Sequence, residues 1–238
     1  MTFIEALNSQ DLEKIRKFPK ADLHNHFVLG GSREYIFNKT GYKIKSITTP
    51  LKSMGEMDSW SSKYIGNHFN SPEGRKLLIE ATFAQAKFDG VTVLEIGEDV
   101  WGLGEFFDND IEKMIFCFQE ANARIAPEIE LRLQIGLSRH CSVDYLMNCL
   151  SHFWGHKEFY SIDLYGDELA QSIANFIPIY DKAAENGLVL KAHVGEWGTA
   201  KDIITAVELL HLNEVQHGIA AVQDENVIEY LIENNTFK

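Results

Sequence analysis

Apolar residues recur along this chain in two alternating patterns. One is a short, near-continuous run of strand length, and the other a longer stretch in which they return every three or four positions. The short runs Val91 to Gly97, Leu131 to Leu137, Phe159 to Leu164, Leu188 to His193 and Glu214 to His217 read as strands buried on both faces. The stretches Ile111 to Ala126, Val143 to Phe153, Ala170 to Asn186, Ala200 to Leu210 and Asp224 to Asn234 read as amphipathic helices. Pro178 is expected to kink or interrupt one of them. Ahead of this series, Ser9 to Glu13 opens a short helix that Phe18-Pro19 closes, and Ala21 to Phe27 reads as a first strand bounded by Gly30-Gly31. Pro72 sits in the first turn of a helix running to about Phe88, with Gly90 ending it.

Six strands, each followed by helical sequence, predict a parallel sheet covered by helices. An eight-unit α/β barrel takes roughly 250 residues, and this chain spends much of its length between its first and second strands. It is therefore expected to carry about six βα units of a barrel and to be incomplete at its C-terminus. No linker divides residues 1–238, so a single domain is expected, with a lid-like insertion over about residues 32–71.

Composition narrows the partners. Lys and Arg number 22 against 35 Asp and Glu, a formal charge of −13, and no basic stripe interrupts it, so a nucleic acid polymer is excluded as partner. A hydrophobic fraction of 45% is that of a globular chain. The three cysteines, Cys117, Cys141 and Cys149, suggest neither a disulfide framework nor a thiolate zinc site. The first residues lack the pattern of a signal peptide, and no apolar run approaches the ~18 residues of a membrane span. A cytoplasmic location is expected.

Candidate chemistry lies at predicted strand ends. His24 and His26 flank one residue on a strand, so alternation points both imidazoles the same way. The run Leu188 to Leu190 leads into His193, Gly195 and Glu196. A third imidazole there completes a three-nitrogen face for a divalent metal, with a carboxylate close enough to move protons. His217 ends the following strand, where it could orient or activate a metal-bound water.

Three passages resemble the adenosine deaminase family of metal-dependent hydrolases. Phe18-Pro19-Lys20-Ala21-Asp22-Leu23-His24-Asn25-His26 resembles its first metal-binding strand, and His193-Val194-Gly195-Glu196 its H-A-G-E segment. Gln216-His217-Gly218 falls at the interval of its following H-G. Ile162 to Glu168 resembles its D-L-x-G-D-E turn. The resemblance runs from about residue 18 to the C-terminus. It implies a TIM barrel of the metal-dependent hydrolase type, with one zinc per chain held by His24, His26 and His193. It also implies proton transfer by Glu196, a hydroxide positioned by His217, and Gly166 offering its backbone to the base. The implied reaction is hydrolytic deamination of a purine nucleoside or base by a zinc-activated water.

The chain departs from that pattern twice. Phe27-Val28-Leu29-Gly30 carries no carboxylate where the family has a ribose-associated aspartate after the second histidine. The family's paired aspartates belong to an eighth strand, and only six strands are expected within these residues. Open sheet edges would then favour self-association. Competing readings are a truncated or inactive binding module and a metal-dependent phosphoesterase. The glutamate following His193 disfavours the phosphoesterase. Glu95 and Glu98 could line a pocket, and His152 with His156, four apart on a predicted helix, forms a weak metal motif. The insertion, with Tyr35, Phe37, Tyr42, Trp60 and Phe69, is where substrate choice is expected to reside.

Overall fold

The computed structural model describes residues 2–236. Six strands, β1 (Lys20–Asn25), β2 (Val91–Asp99), β3 (Glu130–Ser138), β4 (Phe159–Tyr165), β5 (Val189–Val194) and β6 (Glu214–His217), follow one another in sheet order as in sequence. The chain divides into two compact units, Met1–Ile96 with Glu112–Arg132, and Gly97–Ile111 with Leu133–Lys238. Strand β2 contributes to both.

In the first unit β1 pairs with β2 in parallel, Lys20 opposite Val91 and Asn25 opposite Ile96, with register shifts on the way. Lys20 Nζ donates to the carbonyls of Ile15 (2.9 Å) and Phe18 (2.8 Å), adding a charged donor where the helix Leu12–Arg16 ends. The helix Pro72–Asp89 starts at a Ser71 cap and ends at Gly90, whose φ of 74° only glycine adopts cheaply. A Cβ on Gly90 would also lie 1.9 Å from the Arg16 carbonyl. Its buried face, Leu78, Ile79, Thr82, Phe83 and Ala86, has helical spacing, as have Met114, Ile115, Phe118 and Ala121 of the helix Ile111–Ile125. Charges join the two helices on the outside, Lys76 to Glu120 at 2.7 Å and Arg124 to Glu80, and Glu80 also accepts from Tyr35 Oη at 2.9 Å.

The lid-like insertion contains helices Arg33–Thr40 and Met54–Ser61, a π turn Ser62–Gly66 and a last short turn Asn67–Phe69. Serine caps at Ser32 and Ser53 start the two longer helices. An apolar cavity of about 130 Å³ lies here, lined among others by Val28, Leu29, Ile36, Ile44, Met57 and Trp60.

In the second unit β3 to β6 are all parallel, with Leu164 opposite Ala192 and Ala192 opposite Val215. The end of β2 lies against β3. A Cβ on Gly97 would come within 1.6 Å of the Gln134 carbonyl, and Val100 N–H donates to Gly136 O at 2.9 Å. A buried ion pair, Lys191 Nζ to Glu214 at 3.3 Å, links β5 to β6. Asn213 clips the start of β5 through both its side chain and its backbone, at 2.8 Å each. No helix among the described residues is long and apolar enough to cross a membrane.

Several expectations are corrected. The first strand stops at Asn25, because the His26 carbonyl turns to accept from Leu29 and Gly30 N–H, both at 2.8 Å; His26 therefore caps the next helix and is not a strand residue. Pro178 neither kinks nor interrupts a helix. It sits in the first turn of Ile177–Glu185, where a missing N–H costs nothing. The residues before it form only a 3₁₀ turn, Ile173–Phe176. The helix from Val143 ends at Leu150, leaving His152 in a turn and His156 in the irregular stretch after it.

Asp99, at the end of β2, is buried and accepts from Ser138 Oγ. Burial pushes its carboxyl from 3.8 up to about 7, with Glu98 adding to the rise and the Ser138 bond opposing it. A raised carboxyl binds its proton more tightly in the folded chain. Its stabilising contribution is therefore complete below about pH 4 and lost as pH climbs towards 7, at up to about 1.4 kcal/mol per pH unit. Asp99→Asn should remove that slope. Urea unfolding at pH 5 and pH 7.5 checks this, with the variant gaining on the parent at the higher pH.

Candidate functional site

The second unit assembles a cluster at the carboxyl ends of β4, β5 and β6. Asp163 stands inside the apolar β4 run and is 1% exposed. Its Oδ2 lies 3.1 Å from Nε2 of buried His193 on β5. This fixes the orientation of that imidazole and the role of one ring nitrogen. Tyr165, at the end of β4, brings its ring to 5.7 Å from His193.

His217 meets His193 edge to face at 4.9 Å and 75°. Simple alternation would prevent this. His193 is in register with Gln216, and register partners in a parallel pair share a face, so His217 should point to the opposite one. Its backbone, however, is left-handed, with φ of 63°, and Gly218 follows at 60°. That conformation costs a non-glycine residue on the order of 1–2 kcal/mol. It turns the imidazole back beside His193.

Glu196 Oε2 reaches to 3.4 Å from His217 Nε2. Burial holds the His217 pKa below 6.5 and the neighbouring His193 lowers it further, while Glu196 acts in the opposite sense. Burial and the neighbouring imidazole thus both favour the uncharged ring. Gly195 precedes Glu196 at φ of 75°, and a Cβ there would meet Ile203 at 2.6 Å. Gly166, the expected backbone donor after β4, has φ of 91°. The nearest atom to a Cβ at Gly166 would be 3.6 Å away, so backbone conformation and not space requires this glycine.

In the first unit, His24 near the end of β1 and His26 just beyond it place their rings 5.4 Å apart at 71°. Asp22 accepts from the His24 N–H at 3.4 Å and from Asn25 Nδ2 at 2.7 Å, steadying the strand end. Phe27 anchors the helical turn that begins there, with its ring 5.9 Å from Phe118 and the Arg75 guanidinium 5.0 Å above it.

Sequence reasoning assigned no role to Asp163, Tyr165 or Glu168. The signal for Asp163 was a carboxylate within an uninterrupted apolar strand, where an unpaired charge is too costly to keep. Glu168 is 4% exposed and accepts from four consecutive backbone N–H groups of residues 195–198.

Imidazoles and carboxylates are gathered where parallel strands meet their following loops, the place where α/β-barrel folds keep their chemistry. A sequence profile described as adenosine deaminase matches residues 100–237. An adenine deaminase of Vibrio parahaemolyticus is 34% identical over 246 aligned positions, covering 92% of this chain and 68% of that protein. The chain belongs to the adenosine deaminase family and is an aminohydrolase. Among solved structures, adenine deaminase from Arthrobacter aurescens superposes with a TM-score of 0.73 at 20% identity, covering 91% of this chain and 69% of that one. An amidohydrolase from Burkholderia ambifaria with bound Zn gives 0.73 at 18% identity, over 93% and 65%. These two share the TIM-type fold.

Asp163→Ala should cost about 1–3 kcal/mol, because it leaves a buried imidazole without its acceptor. Chemical denaturation of parent and variant at neutral pH measures it; an unchanged midpoint would mean that the pair does not hold His193.

Proposed function

We propose that this chain carries out zinc-dependent hydrolytic deamination of an aminopurine, with the free base adenine preferred to its nucleoside. The reading is carried by the cluster of His193, His217 and Glu196 at the ends of β5 and β6. The relative of 34% identity, named an adenine deaminase, supports the choice of base. So does the segment after His26, where Phe27-Val28-Leu29-Gly30 forms a helical turn with Phe27 buried and offers no carboxylate to a ribose.

The donor chemistry fits a metal. His193 is buried and oriented by a carboxylate, the arrangement typical of a metal-ligating imidazole. In this proposal His24, His26 and His193 hold one zinc ion. Bound there, the metal supplies Lewis acidity that makes water nucleophilic near neutral pH.

The remaining steps fall to the chain's own groups. His217 accepts a hydrogen bond from the attacking water and aims it at the carbon bearing the amine. Glu196 gives a proton to the purine ring as that carbon is attacked, so that charge does not build up on the ring nitrogen. Gly166 N–H donates to the base and fixes its edge. Oxygen replaces the amine, and ammonia leaves.

Glu196→Gln should keep the metal and lose turnover by about 10²-fold or more, the usual worth of a positioned proton donor. His193→Ala should lose tightly held zinc after dialysis. Ultraviolet assays of the zinc-supplied chain with adenine and adenosine, combined with metal analysis, test the whole reading. Faster conversion of adenosine would reverse the substrate assignment, and full metal content in the His193 variant would remove that ligand.

A further inference from the structure

We propose that Glu168 is the positioning residue for Glu196, fixing the loop that carries it through a backbone cage. The proposal rests on the reading of Glu196 as the proton donor and adds the device that holds it in place.

The cage has four donors. Glu168 Oε1 accepts from Gly195 N–H at 2.6 Å. Oε2 accepts from Glu196, Trp197 and Gly198 N–H at 3.0, 2.8 and 3.1 Å. Successive N–H groups converging on one anion form a nest, and here the anion is a side chain from the loop after the neighbouring strand. Such charge-assisted bonds are short and strong. Both flanking glycines fit the carboxylate or the turn around it. A Cβ on Gly198 would stand 2.6 Å from Glu168 Oε1, and Gly195 turns at φ of 75°. Four consecutive backbone units are thereby fixed to a buried group, so Glu196 leaves a rigid backbone and its carboxylate reaches 3.4 Å from His217 Nε2. Glu168 makes none of these bonds through the side chain of Glu196. Its influence runs through the backbone.

The shape of the cage makes Glu168→Gln informative. A glutamine side chain offers one oxygen and one NH₂. If the oxygen keeps the three-donor position, the NH₂ faces Gly195 N–H, donor against donor; if it turns over, three amides lose their acceptor. In either case amide hydrogen exchange, read by NMR on the full chain, should accelerate at least tenfold within residues 195–198. Amides of Val189 and Leu190 on β5 should stay as slow as in the parent. Gly198→Ala, which pushes on the carboxylate without removing it, should loosen the same four amides and covers the case in which the glutamine variant folds poorly.

Turnover gives the second reading. Glu168→Gln should lower kcat at least tenfold with KM unchanged, and should add no further loss when combined with Glu196→Gln, because the first acts through the second. A merely structural carboxylate would instead multiply the two losses. Unchanged exchange at residues 195–198 in both variants, or fully additive losses, overturns the proposal. Undiminished turnover in Glu196→Gln alone would sink the proton-donor reading, while accelerated exchange would still establish Glu168 as the anchor of the loop.

Discussion

The parallel register of β5 and β6 sets the constraint from which the site is built. With His193 opposite Gln216 and Val194 opposite His217, an undistorted pair would place the two imidazoles on opposite faces. The chain resolves this by ending β6 on a left-handed residue, His217, whose φ of 63° turns the ring back to 4.9 Å from His193. Left-handed backbone at a non-glycine residue persists only where its surroundings enforce it. Here Gly218 N–H closes on Val194 O at 3.1 Å and on Gln216 O at 3.0 Å, tying the turn to both strands. The strained residue and the paired imidazoles are thus two aspects of one packing decision.

Much of the scaffold was legible because fully buried parallel strands leave a plain record. The runs Glu214 to His217 and Ala200 to Leu210 match their elements residue for residue, since apolar content and helical spacing agree with the flanking turns. Boundaries failed where a local hydrogen bond outweighed the pattern. His26 looked like strand by alternation, yet its carbonyl starts a helix. Pro178 looked like a breaker and instead opens a helix, because its position relative to the N-terminus decides its effect. The individual helices of the insertion left little periodic signal because they are short and of mixed polarity; serine caps at Ser32 and Ser53 were the legible sign.

The candidate site was legible in its donors and illegible in its supports. His193, Glu196 and His217 stand beside glycines at strand ends, a pattern that spacing alone exposes. Asp163 and Glu168 act across sequence gaps of 30 and 27 residues, on His193 Nε2 and on the Gly195 N–H. No local periodicity encodes such pairings, which depend on which strand lies next to which. Once adjacency in the sheet is known, both become predictable, since a buried carboxylate must find donors.

Asp99, Glu168 and Asp163, three of the buried carboxylates of the second unit, show how environment divides their work. Asp99 accepts from Ser138 Oγ and from Trp101 N–H at 3.4 Å, yet burial outweighs these donors and Glu98 adds to the rise, so its carboxyl is pushed up to about 7. Glu168 sits among four N–H donors, so both its oxygens are tied to the backbone of the neighbouring loop. Asp163 faces an imidazole, so its charge orients a ring. Burial alone would treat all three alike. The number and kind of donors around each oxygen separates a proton reservoir from a backbone anchor and from a ligand-orienting group, and only the last two lie at the ends of β4 and β5 where the chemistry is placed.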